Sequence, residues 1–121
     1  MAKTNGSVMP EILEEISEND FQDMVIDLAH LCGYKVAHFR KARKKDGSWV
    51  TPVSADGKGW PDLILCNDKR KSVIVAEIKS EQGKVTPEQQ EWIERLSCCG
   101  IETHIWKPSL WSEIVVKLRG Y

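Results

Sequence analysis

Apolar residues recur with helical spacing at Phe21, Met24, Val25, Leu28, Ala29, Leu31 and Cys32, which predicts a helix over 18–32. Ser17 stands where an N-cap belongs, Asp20 takes the third helical position, and Ile16 and Phe21 are placed to form a hydrophobic staple. Gly33 is a natural stop. The pattern then shortens. Residues 34–39, 62–66, 72–78 and 101–106 carry β-branched, aromatic and apolar residues in short runs, and each reads as a strand. The runs 62–66 and 72–78 flank a polar turn and should pair as an antiparallel hairpin. Thr86-Pro87-Glu88-Gln89 opens a second helix with a cap, a first-turn proline and a capping-box glutamine. Its buried face is expected at Trp92, Ile93, Leu96 and Cys99, and a last helix is expected over 109–118. The order is α-β-β-β-α-β-α, an α/β fold with a central mixed sheet flanked by helices.

The 121 residues suit one domain: 1–16 as a leader with a short helical turn, and 17–121 as a single domain. No apolar run is long enough for a membrane span or a secretory signal, so a cytoplasmic location is expected. Cys32, Cys66, Cys98 and Cys99 form no C-x-x-C pair, which argues against zinc and for buried reduced thiols. The net charge of −1 hides an asymmetry. From Lys35 to Lys58 there are seven Lys or Arg against two acids, whereas Met1 to Asp20 holds five acids and one lysine. A local phosphate-binding surface fits this better than an evenly charged shell.

The chemistry concentrates in Gly59-Trp60-Pro61-Asp62 and in Glu77-Ile78-Lys79. Alternation along a strand puts Glu77 and Lys79 on one face and turns Ile78 into the core. A turn centred near Lys69 and Arg70 sets Asp62 opposite Glu77, with Cβ atoms about 4.5–5.5 Å apart. Two neighbouring carboxylates call for a compensating hard cation. Mg²⁺ fits, because it is held by one or two carboxylates and keeps sites for water and phosphate. The Ile78 backbone carbonyl is a further candidate ligand, and Lys79 would steady the attacking water and the developing phosphate charge. Mn²⁺ should substitute. A plain alternative stands beside this: Asp62 as a turn cap, and Glu77 with Lys79 as a solvated edge pair.

The ordered set of an acidic first helix, G-W-P-D-L-I-L, V-A-E-I-K and T-P-E-Q-Q-E-W resembles the PD-(D/E)XK nuclease superfamily and, within it, the VRR-NUC group of small stand-alone phage-type nucleases. The resemblance implies a restriction-endonuclease-like core and a metal-dependent DNA endonuclease. It implies Asp62 and Glu77 as metal ligands, Lys79 as the catalytic lysine, Glu18 as an addition to the metal site directly or through water, and Gln89 as the residue that holds Lys79 or the phosphate. The family's Val-Arg-Arg lead-in is absent, and Lys58-Gly59-Trp60 precedes Pro61 instead. Stand-alone members resemble Holliday-junction resolvases, which implies a homodimer acting on branched DNA in a bacterial or phage-infected cell. No small-molecule cofactor or membrane partner is implied.

Arg40, Lys41, Arg43, Lys44 and Lys45 form a dense basic run, and with Lys58 and Lys84 they are the expected DNA contacts. A solvated surface run is their plainer reading. His38 is a secondary candidate for the site, and Trp49 and Trp60 are candidates to stack on unpaired bases. Three rivals to a branched-DNA endonuclease remain open: a nicking or restriction-like nuclease on duplex, an inactive DNA-binding module, and a metal-free interaction domain.

Overall fold

A computed structural model describes residues 10–39, 42–50 and 53–120. Helix α1 (Pro10–Glu15) leads into helix α2 (Glu18–Leu31), whose cap Ser17 accepts a hydrogen bond from the Asp20 amide at 3.0 Å. Strand β1 (Lys35–His38) follows, then a two-stranded hairpin of β2 (Ala42–Arg43) and β3 (Trp49–Val50), which lies in the stretch 40–60, where the Lys, Arg, Gly, Ser and Pro content suits a long loop or an irregular hairpin around Asp46-Gly47. Strands β4 (Leu63–Asn67) and β5 (Ser72–Ile78) come next. After them stand helix α3 (Pro87–Cys98), strand β6 (Glu102–Trp106), a 3-10 turn at Pro108–Leu110 and helix α4 (Trp111–Arg119). No helix among the described residues is long and apolar enough to cross a membrane.

The main sheet runs β1-β4-β5-β6. Strand β4 is antiparallel to both β1 and β5, while β5 and β6 are parallel, joined by the α3 crossover. The expected α/β architecture, a mixed sheet flanked by helices, is the one observed. Leu63, Leu65, Ile74, Ala76 and Ile78 share a core with Phe21, Val25 and Ala29 of α2 and Ile114 and Leu118 of α4. Each large side chain buried there contributes about 1.5–3 kcal/mol. Strand β5 lies between two neighbours, so its apolar run is buried almost throughout, as interior strands require. Helix α3 packs along β6 and buries Ile93.

The cysteines depart from expectation. Cys66, Cys98 and Cys99 are exposed and Cys32 is half-buried; all are free thiols. Cys99 is the C-cap of α3, past the last turn that faces the sheet, and Leu96 and Trp92 are only partly covered. Cys66 pairs across the ladder with Val73, itself 44% exposed, so that end of the sheet face is open to solvent.

Candidate active site

The segment before β4 is held by close packing against α3. Gly59 has φ +85°, and a Cβ there would lie 2.6 Å from the Glu88 backbone at the start of α3. Only glycine takes this turn so close to another backbone without strain. The Trp92 indole NH donates to the Asp56 and Lys58 carbonyls at 3.2 and 3.1 Å, which fastens the loop to α3. Trp60 packs edge-on between Phe39 and Trp92, with ring centroids 5.9 and 4.9 Å away. Chain direction at Asp62 is therefore set on both sides, by Trp60 before it and by the ladder after it.

The Leu63↔Ala76 register continues to place Asp62 across from Glu77, as the turn length predicts. Asp62 is buried, its carbonyl accepts from the Phe39 amide at 2.9 Å, and its Oδ2 accepts from the Ile78 amide at 2.8 Å. That last bond crosses to the neighbouring strand, so Asp62 does not cap its own turn. Glu77 is 1% exposed and Lys79 is 6% exposed. The Lys79 Nζ lies 3.4 Å from Glu77 Oε2, and the Lys79 amide extends the ladder to the Trp106 carbonyl at 3.0 Å. Burial on an interior strand rules out a solvated edge pair. Two acids and one amine thus share the end of the β4–β5 hairpin. Burying charges at this density is costly unless the set is completed by opposite charge.

The donor set fits a hard divalent cation: two carboxylates and a nearby backbone carbonyl, all oxygen, with Asp62 Oδ2 already fixed by the Ile78 amide. Among the described residues no three His, Cys, Asp or Glu side chains gather into a metal-holding group. Glu18 is therefore not brought together with Asp62 and Glu77 as a third direct ligand. As the first residue of α2, it instead lines a cavity of about 590 Å³ that Asp62 also reaches. Asn19, Gln22, His38 and Trp49 face the same cavity. Gln22 is a feature that sequence reasoning missed. It is buried, and its side-chain nitrogen meets His38 Nε2 at 2.8 Å. Its spacing of four residues from Glu18, which puts both on one helix face, was the available signal.

Gln89 is buried at the third position of α3, and its side-chain oxygen accepts from the Thr86 amide at 2.9 Å. The Thr86 hydroxyl accepts from the Gln89 amide in return, so the capping box is closed and the Gln89 carboxamide nitrogen is the group left to act elsewhere. Lys44, Lys45 and Lys84 are exposed. Lys58 is exposed too and lies 3.9 Å from the Glu88 carboxylate. Arg40 and Lys41 lie outside the described residues, and of Arg43 the backbone alone is described, in β2.

Comparison with protein-family models matches residues 4–107 to the VRR-NUC domain. No curated protein and no solved structure matches the chain.

Proposed function

The chain belongs to the VRR-NUC domain family and so is a nuclease domain; from that premise we propose that it is a Mg²⁺-dependent DNA endonuclease that hydrolyses phosphodiester bonds in branched DNA. The observation that carries the reading is the pairing of buried Asp62 and Glu77 beside Lys79, an oxygen-rich set held at the end of two hydrogen-bonded strands.

Asp62, Glu77 and the Ile78 carbonyl would hold the cation, with Glu18 acting from the cavity wall through water. A bound Mg²⁺ would supply Lewis-acid activation of the phosphate and lower the pKa of a bound water. The protein's own part is placement. The Ile78 amide fixes one Asp62 oxygen, so the carboxylate enters the reaction already oriented. Lys79, held beside Glu77, presents its amine to the negative charge that grows on the phosphate oxygens. Gln89 steadies the phosphate or Lys79 through its amide nitrogen. The exposed Lys44, Lys45, Lys58 and Lys84, with Arg40, Lys41 and Arg43, track the DNA backbone. A homodimer would present two such sites about a twofold axis, matching the symmetry of a four-way junction.

The test incubates the purified protein and its Lys79→Ala variant with Mg²⁺ or Mn²⁺ and with four-way junction, flap, single-stranded or linear duplex DNA. Cleavage of the branched forms, lost in the variant, is the expected result. Equal cleavage by both proteins overturns the site. Cutting of linear duplex alone overturns the branched-DNA preference in favour of a nicking or restriction-like enzyme.

A further inference from the structure

Two core-side positions carry polar residues where the pattern calls for apolar ones. His38 ends β1 across from Leu63, on the sheet face that Val36 and Leu65 share. Gln22 lies on α2 among Phe21, Val25 and Ala29, which are fully buried, and is itself only 7% exposed. Burying a carboxamide is costly unless it is hydrogen-bonded. The Gln22 side-chain nitrogen meets His38 Nε2 at 2.8 Å, so helix and sheet satisfy each other through a polar pair where two apolar residues would pack without that cost.

The pair has a direction. Gln22 is buried, whereas His38 is exposed and lines the cavity that Asp62 also reaches. A carboxamide nitrogen only donates, so His38 Nε2 accepts and the ring proton sits on Nδ1. A histidine tied through one nitrogen has its tautomer set, and the other nitrogen is left for a second partner. Among the described residues the His38 ring makes no other hydrogen bond or ion pair. The next residue, Phe39, donates its amide to the Asp62 carbonyl at 2.9 Å, so the strand that carries His38 is fastened to the segment that carries Asp62.

We propose that His38 touches the substrate: its Nδ1–H donates a hydrogen bond to an oxygen of the DNA phosphate at the cut, and Gln22 is the positioning residue that holds the ring for it. The proposal rests on the nuclease reading and adds a directed, neutral donor to that site. In the sheet, β1 and β5 lie on opposite sides of β4, so His38 and Lys79 approach the Asp62 end of β4 from two sides. The contact transfers no proton. A pair that only filled the interior would need Nε2 alone; a pair that serves the substrate needs Nδ1.

The two ring nitrogens can be tested separately. An asparagine carboxamide brings its N–H near the place of Nδ1, and the longer glutamine brings one near that of Nε2. Wild type, His38→Ala, His38→Asn, His38→Gln and Gln22→Leu are compared in single-turnover cleavage of labelled flap and four-way-junction DNA with Mg²⁺, and in binding of the same DNA with Ca²⁺ instead. Exposure of His38 makes the fold insensitive to its substitution, and thermal melts check every variant. His38→Ala should slow cleavage about 10–100-fold, the size of one hydrogen bond to a charged group. His38→Asn should recover most of that loss and His38→Gln little of it. Gln22→Leu should slow cleavage too and cost nothing further when added to His38→Ala; additive losses overturn its positioning role. Recovery by glutamine rather than asparagine, or wild-type rates in all three His38 variants, overturns the contact and leaves the nuclease reading standing. If the wild type cuts no DNA, the nuclease reading falls and binding decides the contact: affinity lost in His38→Ala and regained in His38→Asn retains it, and equal affinities overturn it.

Discussion

Two clusters of acid and amine stand on neighbouring strands of one sheet. At the end of β5, Glu77 pairs with Lys79, and Asp62, just before β4, accepts from the Ile78 amide between them; on β6, Glu102 meets His104 and Lys117. The second cluster is complete in itself. Its single carboxylate oxygen Oε2 lies 2.7 Å from both Lys117 Nζ and His104 Nε2, and the three side chains stay about a third or more exposed. Burial pushes the Glu102 carboxyl up, but the hydrogen bonds from Lys117 and His104 outweigh it and bring it below its ordinary value of 4.5. In the first cluster Asp62, Glu77 and Lys79 are all nearly inaccessible, and the Glu77–Lys79 contact is a longer 3.4 Å. Similar residue types thus make a part-exposed surface network in one place and a buried set in the other. Burial separates the two: solvent screens the second cluster and hardly reaches the first.

Breaking both clusters should have unequal consequences. Lys79→Ala is expected to reduce cleavage by about 10²–10³-fold, the size of a lost electrostatic stabiliser. Lys117→Ala and Glu102→Gln should leave initial cleavage rates unchanged. If all three variants lose activity together, the distinction fails. Thermal melts with and without Mg²⁺ sharpen the same contrast. The wild type should gain about 2.7 kcal/mol at a free Mg²⁺ concentration of about 100 Kd. Asp62→Asn keeps an oxygen for the Ile78 amide but removes one negative charge, so its metal-free form should be at least as stable as the wild type and its response to Mg²⁺ should vanish.

A smaller effect probes how the buried cluster is seated. Gly59→Ala forces a positive-φ residue against the Glu88 backbone and should cost about 1–3 kcal/mol in urea unfolding. Cleavage should fall with it, because the same turn aims Asp62. The smallest effect belongs to the surface cluster. The folded-state carboxyl of Glu102 titrates below its ordinary 4.5, so its contribution is present above that pH and lost as pH falls through the folded value. Glu102→Gln should therefore lower the melting temperature at neutral pH by an amount worth under about 1 kcal/mol, given its exposure to solvent screening. The difference from wild type should close on acidification below pH 4.5.

Much of this arrangement was legible in the chain. Ser17 and Thr86 cap the helices that their spacing announced. The turn between β4 and β5 fixed the register, and the register put Asp62 across from Glu77. Such features follow from local rules: hydrogen bonds within a few residues, and the twofold alternation of side chains along a strand. Other features were not legible. Trp49 and Trp60 occupy similar local contexts, yet one packs and the other faces the cleft. Cys99 fitted an apolar helix face but caps α3 in solvent. Gln22 read as an ordinary helix residue until His38 came beside it.

By itself the sequence determined the element order, the pairing of the central hairpin and the identity of the acids and amine at its end, because caps, turn length and alternation act over short stretches of chain. The tertiary structure alone decided which charges are buried, that β5 is an interior strand, and which tryptophan meets the cavity. Burial and charge balance are set by segments far apart in sequence, such as Glu18 and Asp62 on the wall of one cavity or the Trp92 indole on the Lys58 carbonyl, which meet only when the helices close over the sheet.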